Sequence, residues 1–178
     1  MMKFLWTTKK DVLTLSARKG LHSVEWCIDA AFAVHPDFKS HTGATQHFVG
    51  GKGAVQSTSA KQKLNTSSST TSESVGVDQV LPVALWTPSF MEAQGHRIKE
   101  NKAWQDNQST MLLEKNGKTS SGKRTRASNT RHFVMTDQVG RGNCAIECCP
   151  TDDVVGDFVT KGLQGIEFAT FRKKIVGM

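Results

Sequence analysis

The chain has 178 residues, 37% of them hydrophobic and 22% charged, which suits one buried core and excludes a fully disordered chain. Lysine and arginine number 23 against 16 acids, a formal net charge of +7 that favours a polyanionic partner, nucleic acid being the commonest. No run of about 18 apolar residues occurs, which excludes a spanning helix, and four cysteines without a C-x-x-C pair argue against a disulfide framework or zinc module.

Residues 1–17 mix apolar and basic side chains and read as the tail of a preceding unit. Residues 1–10 are too short and too quickly charged for a secretory signal, so an intracellular site, cytoplasmic or nuclear, is expected. Over residues 24–34, Val24, Trp26, Ile28, Ala30, Phe32 and Val34 share one face at the two-residue period. Glu25, Cys27, Asp29, Ala31 and Ala33 lie on the other face, and all but two of the eleven residues are uncharged, so both sides are expected to be covered, as in a central strand. Residues 44–49 and 54–58 form a hairpin around Gly50-Gly51-Lys52-Gly53. The polar tract 57–74, taken alone, reads as a linker. Val77, Val80, Leu81 and Ala84 then repeat at helical spacing, and Thr66 to Thr70 offers N-caps. Pro82 is expected to bend this helix, which continues in broken form to about residue 94. Residues 97–105 read as a strand with Ile98 and Trp104 as apolar members, 107–114 as a short helix, and 116–126 as an exposed basic loop. Residues 131–139 read as a helix, 143–149 as a short strand, and 153–163 as a helix. Phe168, Phe171 and Ile175 form a closing helical stripe. The sum is a mixed α/β domain with a helix-covered sheet, over residues 21–164, with residues 165–178 as a C-terminal helix.

Four acids stand out by position. Asp29 lies in the most apolar strand, Glu73 is in line with Val77, Val80 and Ala84, Asp106 ends the strand of Trp104, and Asp157 lies between Val155 and Phe158. Carboxylates gathered at one end of a sheet repel each other unless cations neutralise them. Two Mg²⁺ ions, hard and oxygen-loving, suit that role and suit attack on a phosphodiester. Spacing leaves blander readings open. Asp106 also reads as a strand-end turn or helix cap, Asp157 as a solvated helix residue, and Glu73 as a capping-box partner of Thr70. Asp29 is the hardest to explain otherwise.

Four segments in order carry a resemblance: Cys27-Ile28-Asp29-Ala30-Ala31-Phe32, Lys61 to Thr70, Gln105-Asp106-Asn107-Gln108-Ser109, and Gly156-Asp157-Phe158-Val159-Thr160-Lys161-Gly162-Leu163. Together they resemble the ribonuclease H domain of copia-type retrotransposon polyproteins, where a strand aspartate, K-Q…S-S-T-E-A-E, D-N-x-S and A-D-x-x-T-K-x-L recur at similar spacing. The resemblance covers residues 21 to the C-terminus, while residues 1–20 resemble the end of a polymerase thumb. It implies a ribonuclease H-like α/β fold, a five-stranded mixed sheet antiparallel in its first three strands, with helices on its faces. It implies hydrolysis of the RNA strand of RNA–DNA hybrids during reverse transcription, with two Mg²⁺ ions (Mn²⁺ as an alternative) and the polymerase part of the same polyprotein as usual partner. Carried over by motif, Asp29, Glu73, Asp106 and Asp157 match the metal ligands. Ser67, Ser68, Ser69, Thr70 and Asn107 resemble positions near the hybrid backbone.

The chain departs from that pattern at Thr71, where the family has glutamate, at Ser74, where it has a large apolar residue, and at Gly156, where it has alanine. The K-H-I-D-I-R-Y segment appears as residues 126–132 with its apolar face thinned. No histidine lies near Asp157, and polymerase palm, protease and integrase segments are missing, so the chain is not expected to be a complete element. Lys123 and Arg124, in the basic loop, are further candidates for electrostatic contact with nucleic acid. Cys144, Cys148, Cys149 and His132 lack metal-site spacing and read as ordinary thiols and a histidine without a role. Trp86 and Trp104 read as core. The rival readings are a catalytically silent retroelement remnant that keeps the fold, and a basic DNA-binding module with those carboxylates scattered.

Overall fold

A computed structural model describes residues 2–17, 20–111, 134–149 and 155–178. Its centre is a five-stranded mixed sheet built from β1 (Ser23–Ala31), β2 (His41–Phe48), β3 (Gln56–Lys61), β4 (Glu100–Gln105) and β5 (Ala145–Cys148), in the order β3-β2-β1-β4-β5. β1 to β3 run antiparallel and β1, β4 and β5 run parallel, the arrangement that the resemblance implies. Helix α1 (Met2–Thr7) precedes the sheet, α2 (Ser69–Ala93) crosses between β3 and β4, and α3 (Asp157–Thr160) and α4 (Gly165–Val176) follow β5.

The central strand is covered on both faces, as its composition requires. On one side Val24, Trp26 and Ile28 of β1 pack with Ala44, Ala103 and Ile146 against Val77, Val80, Leu81 and Ala84 of α2. On the other, Cys27 packs with Val155 and Phe171, joined by Trp104, Phe158, Leu163 and Ile175. The C-terminal stripe docks as expected, with Phe168 stacked on Phe158 at 5.2 Å. The N-terminal segment lies along α4: Phe4 meets Phe168 edge-on, Asp11 pairs with Arg172, and Thr14 N–H donates to the Val176 carbonyl.

Several expectations need correction. β1 ends at Ala31 rather than 34, because Ala33 turns into the left-handed region at φ 53° and its N–H donates to Ser40 Oγ. The second strand of the hairpin, expected over 54–58, is β3 at 56–61, running into the polar tract as an edge strand that needs no apolar face. β4 starts at Glu100, after Ile98. α2 is one unbroken helix through Pro82 and Pro88. A proline at position 88 removes the N–H that would bond the Ala84 carbonyl four residues back. Asn101 Nδ2, on β4, donates to that carbonyl at 2.8 Å instead, so the sheet supplies what the helix lacks. Trp86 is not core: it is 57% exposed and stacked on Phe90. Residues 108–111 and 134–140 are helical; the remainder of the two helices expected there lies outside the described residues. α3 spans only Asp157–Thr160, shorter than the helix expected over 153–163.

Candidate active site

β1 and β4 run parallel, so their carboxyl ends lie at the same edge of the sheet, and α2 starts beside them. Asp29 comes from β1, Glu73 from the first turns of α2, and Asp106 from the residue following β4. One carboxylate oxygen from each lies within 4.8 Å of the others. Asp29 and Glu73 are buried, at 3% and 6% exposure, and Asp106 is half-buried. These three residues, 44 and 33 positions apart along the chain, are brought together by the topology.

The blander readings of Glu73 and Asp106 do not describe them. The cap of α2 is Ser68, whose Oγ accepts from Thr71 N–H at 3.1 Å, so Glu73 has no capping role. Asn107, not Asp106, caps the next helical turn, its Oδ1 accepting from Thr110 N–H at 3.1 Å. That leaves the Asp106 carboxylate with the cluster.

Asp157 is not part of this triad. It stands in the first turn of α3, and its Oδ1 is paired with Lys161 Nζ at 2.7 Å, one helical turn on. It is still close enough for its charge to act on Asp29. Of the expected backbone-contact residues, Ser67 and Ser69 are exposed and Ser68 and Thr70 half-exposed, all at the amino end of α2 beside Glu73. Lys123 and Arg124 lie outside the described residues, as does His132.

Two glycines let α3 approach the sheet at Asp29. Gly43 is opposite Asp29 on β2, and a Cβ there would meet Thr160 Cγ2 at 2.4 Å. A Cβ on Gly156 would stand 2.9 Å from that of Asp29, so a side chain there requires α3 to shift away from the strand. The close approach brings the Thr160 hydroxyl onto Asp29 Oδ2, where it donates a hydrogen bond.

The electrostatics follow from burial and crowding. Burial pushes the Glu73 pKa from 4.5 up to about 8, with the charges of Asp29 and Asp106 adding to it and the Gln105 hydrogen bond opposing. Asp29 is raised chiefly by burial and further by Asp157 and Asp106, against the Thr160 hydroxyl and the Lys161 ammonium. Lys161 loses hydration, which favours the neutral amine. Its bond to Asp157 and the fields of Asp29, Asp157 and Asp106 outweigh that and keep it charged.

A triad of carboxylates, two of them buried and reluctant to ionise together, is a hard oxygen donor set for which a divalent cation is the fitting counter-charge. The donor set therefore fits Mg²⁺ or Mn²⁺ and suits neither a soft metal nor a thiolate site. Three side chains that shape the site escaped sequence reasoning as site residues: Gln105, Thr160 and Lys161. All stand inside the motif segments, directly before Asp106 or three and four positions after Asp157. Thr160 and Lys161 fall on the fixed threonine and lysine of the motif around Asp157, a signal left unused; for Gln105, neighbourhood to Asp106 was the one signal available.

No family model matches this chain, and no curated protein matches it. Solved structures do. The LC11 ribonuclease H1, isolated from compost by a metagenomic approach, superposes with a TM-score of 0.58 at 11% identity, covering 78% of this chain and 92% of that one. The N-terminal ribonuclease H domain of a Mycobacterium tuberculosis protein, solved as a fusion with maltose-binding protein, gives 0.51 at 12% identity, covering 78% and 91%. The LC11 enzyme solved in complex with an RNA/DNA hybrid gives 0.51 at 10% identity, covering 74% and 88%. The chain has the ribonuclease H fold.

Proposed function

We propose that the chain is a ribonuclease H-type endonuclease that cuts the RNA strand of RNA–DNA hybrids by two-metal catalysis, as part of a copia-type retrotransposon reverse transcriptase. The observation that carries this reading is the meeting of Asp29, Glu73 and Asp106 within 4.8 Å, at the carboxyl ends of neighbouring strands in this fold. A structural neighbour that holds an RNA/DNA hybrid supports the substrate class, and the four ordered motifs support the retroelement context. The polymerase part of the same polyprotein is the proposed partner.

In this reading Asp29, Glu73 and Asp106 hold the ions, Mg²⁺ by preference, with Asp157 as a fourth ligand. Ions bound there supply an activated water and neutralise charge on the leaving oxygen. The chain's own groups prepare the site. Thr160 orients the Asp29 carboxylate through its hydroxyl, and Glu73 gives up its proton when it becomes a ligand. Lys161, paired with Asp157 one helical turn away, adds a positive charge at the edge of the cluster. The exposed hydroxyls of Ser67 and Ser69, with Ser68 and Thr70, line the amino end of a 25-residue helix, where phosphate is favoured. Asn107, whose Oδ1 is taken by the Thr110 N–H, offers its amide nitrogen as a donor to the hybrid's sugar-phosphate backbone. Lys123 and Arg124 add sequence-independent attraction.

A hybrid labelled on its RNA strand tests the reading. Mg²⁺-dependent shortening of that strand is expected, abolished by a chelator and by Asp29→Asn. Absence of cleavage by a folded chain that still binds Mn²⁺ would favour a silent remnant that keeps the fold.

A further inference from the structure

Gln105 is the last residue of β4 and one of the most deeply buried polar side chains, at 1% exposure. Its neighbours at the same face, Asn101 and Ala103, are buried too, so the side chain is directed to the α2 side of the sheet. There its carboxamide is engaged at both ends. Nε2 donates to Glu73 Oε2 at 3.2 Å. Oε1 accepts from the backbone N–H of Asp106 at 3.0 Å and of Asn107 at 3.4 Å. The orientation of the amide is dictated by these partners: two backbone N–H groups can only donate, so oxygen faces them and nitrogen faces the carboxylate.

One neutral side chain thus joins the Glu73 carboxylate of α2 to the turn that presents Asp106. The ends it joins are 32 residues from Gln105 on one side and its immediate neighbours on the other. A charged residue here would alter the balance of the cluster, and an apolar one would leave two backbone donors unpaired and the buried Glu73 carboxylate with only the Ala30 backbone hydrogen bond. Glutamine is long enough for the span and adds no charge.

We propose that Gln105 is a positioning residue of the carboxylate site, one that fixes the spacing of Glu73 and Asp106 for a divalent cation. This rests on the reading above that those carboxylates hold divalent ions. Residues that orient ligands in this way contribute roughly ten- to hundredfold to metal affinity.

The test uses the full chain, with Mn²⁺ as the probe, in titration calorimetry, and with Mg²⁺ in hybrid cleavage. Gln105→Met removes both sets of hydrogen bonds. Gln105→Asn keeps an amide that can bond the N–H groups just after it, as asparagine does in turns, but is too short to reach Glu73. Thermal melts establish that each variant is folded. Both folded variants are expected to bind Mn²⁺ about tenfold or more weakly. The Mg²⁺ concentration for half-maximal cleavage should rise by a similar factor, while kcat at saturating Mg²⁺ stays within about threefold. A general loss of structure would instead lower kcat and leave the metal dependence where it was. Wild-type Mn²⁺ affinity in folded Gln105→Asn overturns the positioning role and leaves the nuclease reading intact. A wild-type chain that binds no Mn²⁺ overturns both.

Discussion

Glu73 is where the stability of the fold and the proposed chemistry pull in opposite directions. Its carboxyl is buried beside Asp29 and Asp106, and its pKa rises from 4.5 to about 8 on folding. The folded chain therefore holds this proton more tightly than the unfolded chain does. Its contribution to stability is complete below 4.5 and is lost as the pH climbs through about 8. In the absence of divalent ions, Glu73→Gln should remove most of that alkaline loss. Its melting temperature should exceed that of the wild type above about pH 8 and match it near pH 4. Melts across this range in a chelating buffer measure the difference, and parallel curves would show that the buried carboxylate is not its source. Asp29 and Glu73 were legible from sequence because an acid in an apolar stripe is conspicuous. Gln105 was not, since a neutral polar residue looks the same whether it faces water or supports a carboxylate, and Thr160 was marked only as a fixed position of its motif. Asp157 was legible as an acid but not as the partner of Lys161, which takes up its carboxylate in the structure.

At the scale of elements, α2 shows how a local rule yields to its neighbours. Pro82 predicts a bent and broken helix, yet residues 69–93, with Pro88 as well as Pro82 inside, form a single helix. For Pro88 the reason is visible: the carbonyl it orphans, on Ala84, receives the Asn101 amide from β4. Asn101→Ala leaves that buried acceptor without a donor and should cost roughly 1–3 kcal/mol. In a Pro88→Ala background the helix can supply its own N–H, so the same Asn101→Ala change should cost about 1 kcal/mol less. Urea denaturation of the four proteins gives the comparison, and equal costs in both backgrounds would refute the compensation. The hydrophobic periodicity of β1, α2 and α4 made those elements readable. β3 has no such pattern, as an edge strand exposed along most of its length, and was readable only through the glycine turn before it, with displaced bounds; α3 is too short for periodicity to speak. Gly156, which with Gly43 admits α3 to the sheet, reads in sequence as a mere departure from the motif.

For the molecule as a whole, the sheet converts distance along the chain into proximity. β1 and β4 are neighbours though β2, β3 and α2 intervene in sequence, and their shared edge receives both Asp29 and Asp106. The chain as a whole carries a formal net charge of +7, a balance that favours association with a polyanion. No helix among the described residues is long and apolar enough to cross a membrane. The rate of RNA-strand cleavage in an RNA–DNA hybrid, measured at saturating Mg²⁺ for the wild type and for Asp29→Asn, Glu73→Gln and Asp106→Asn, tests the central claim most directly. The wild type should cleave, and each folded variant should fall below about a thousandth of its rate. A variant that keeps the wild-type rate, or a folded wild type that leaves the hybrid whole, would contradict the account.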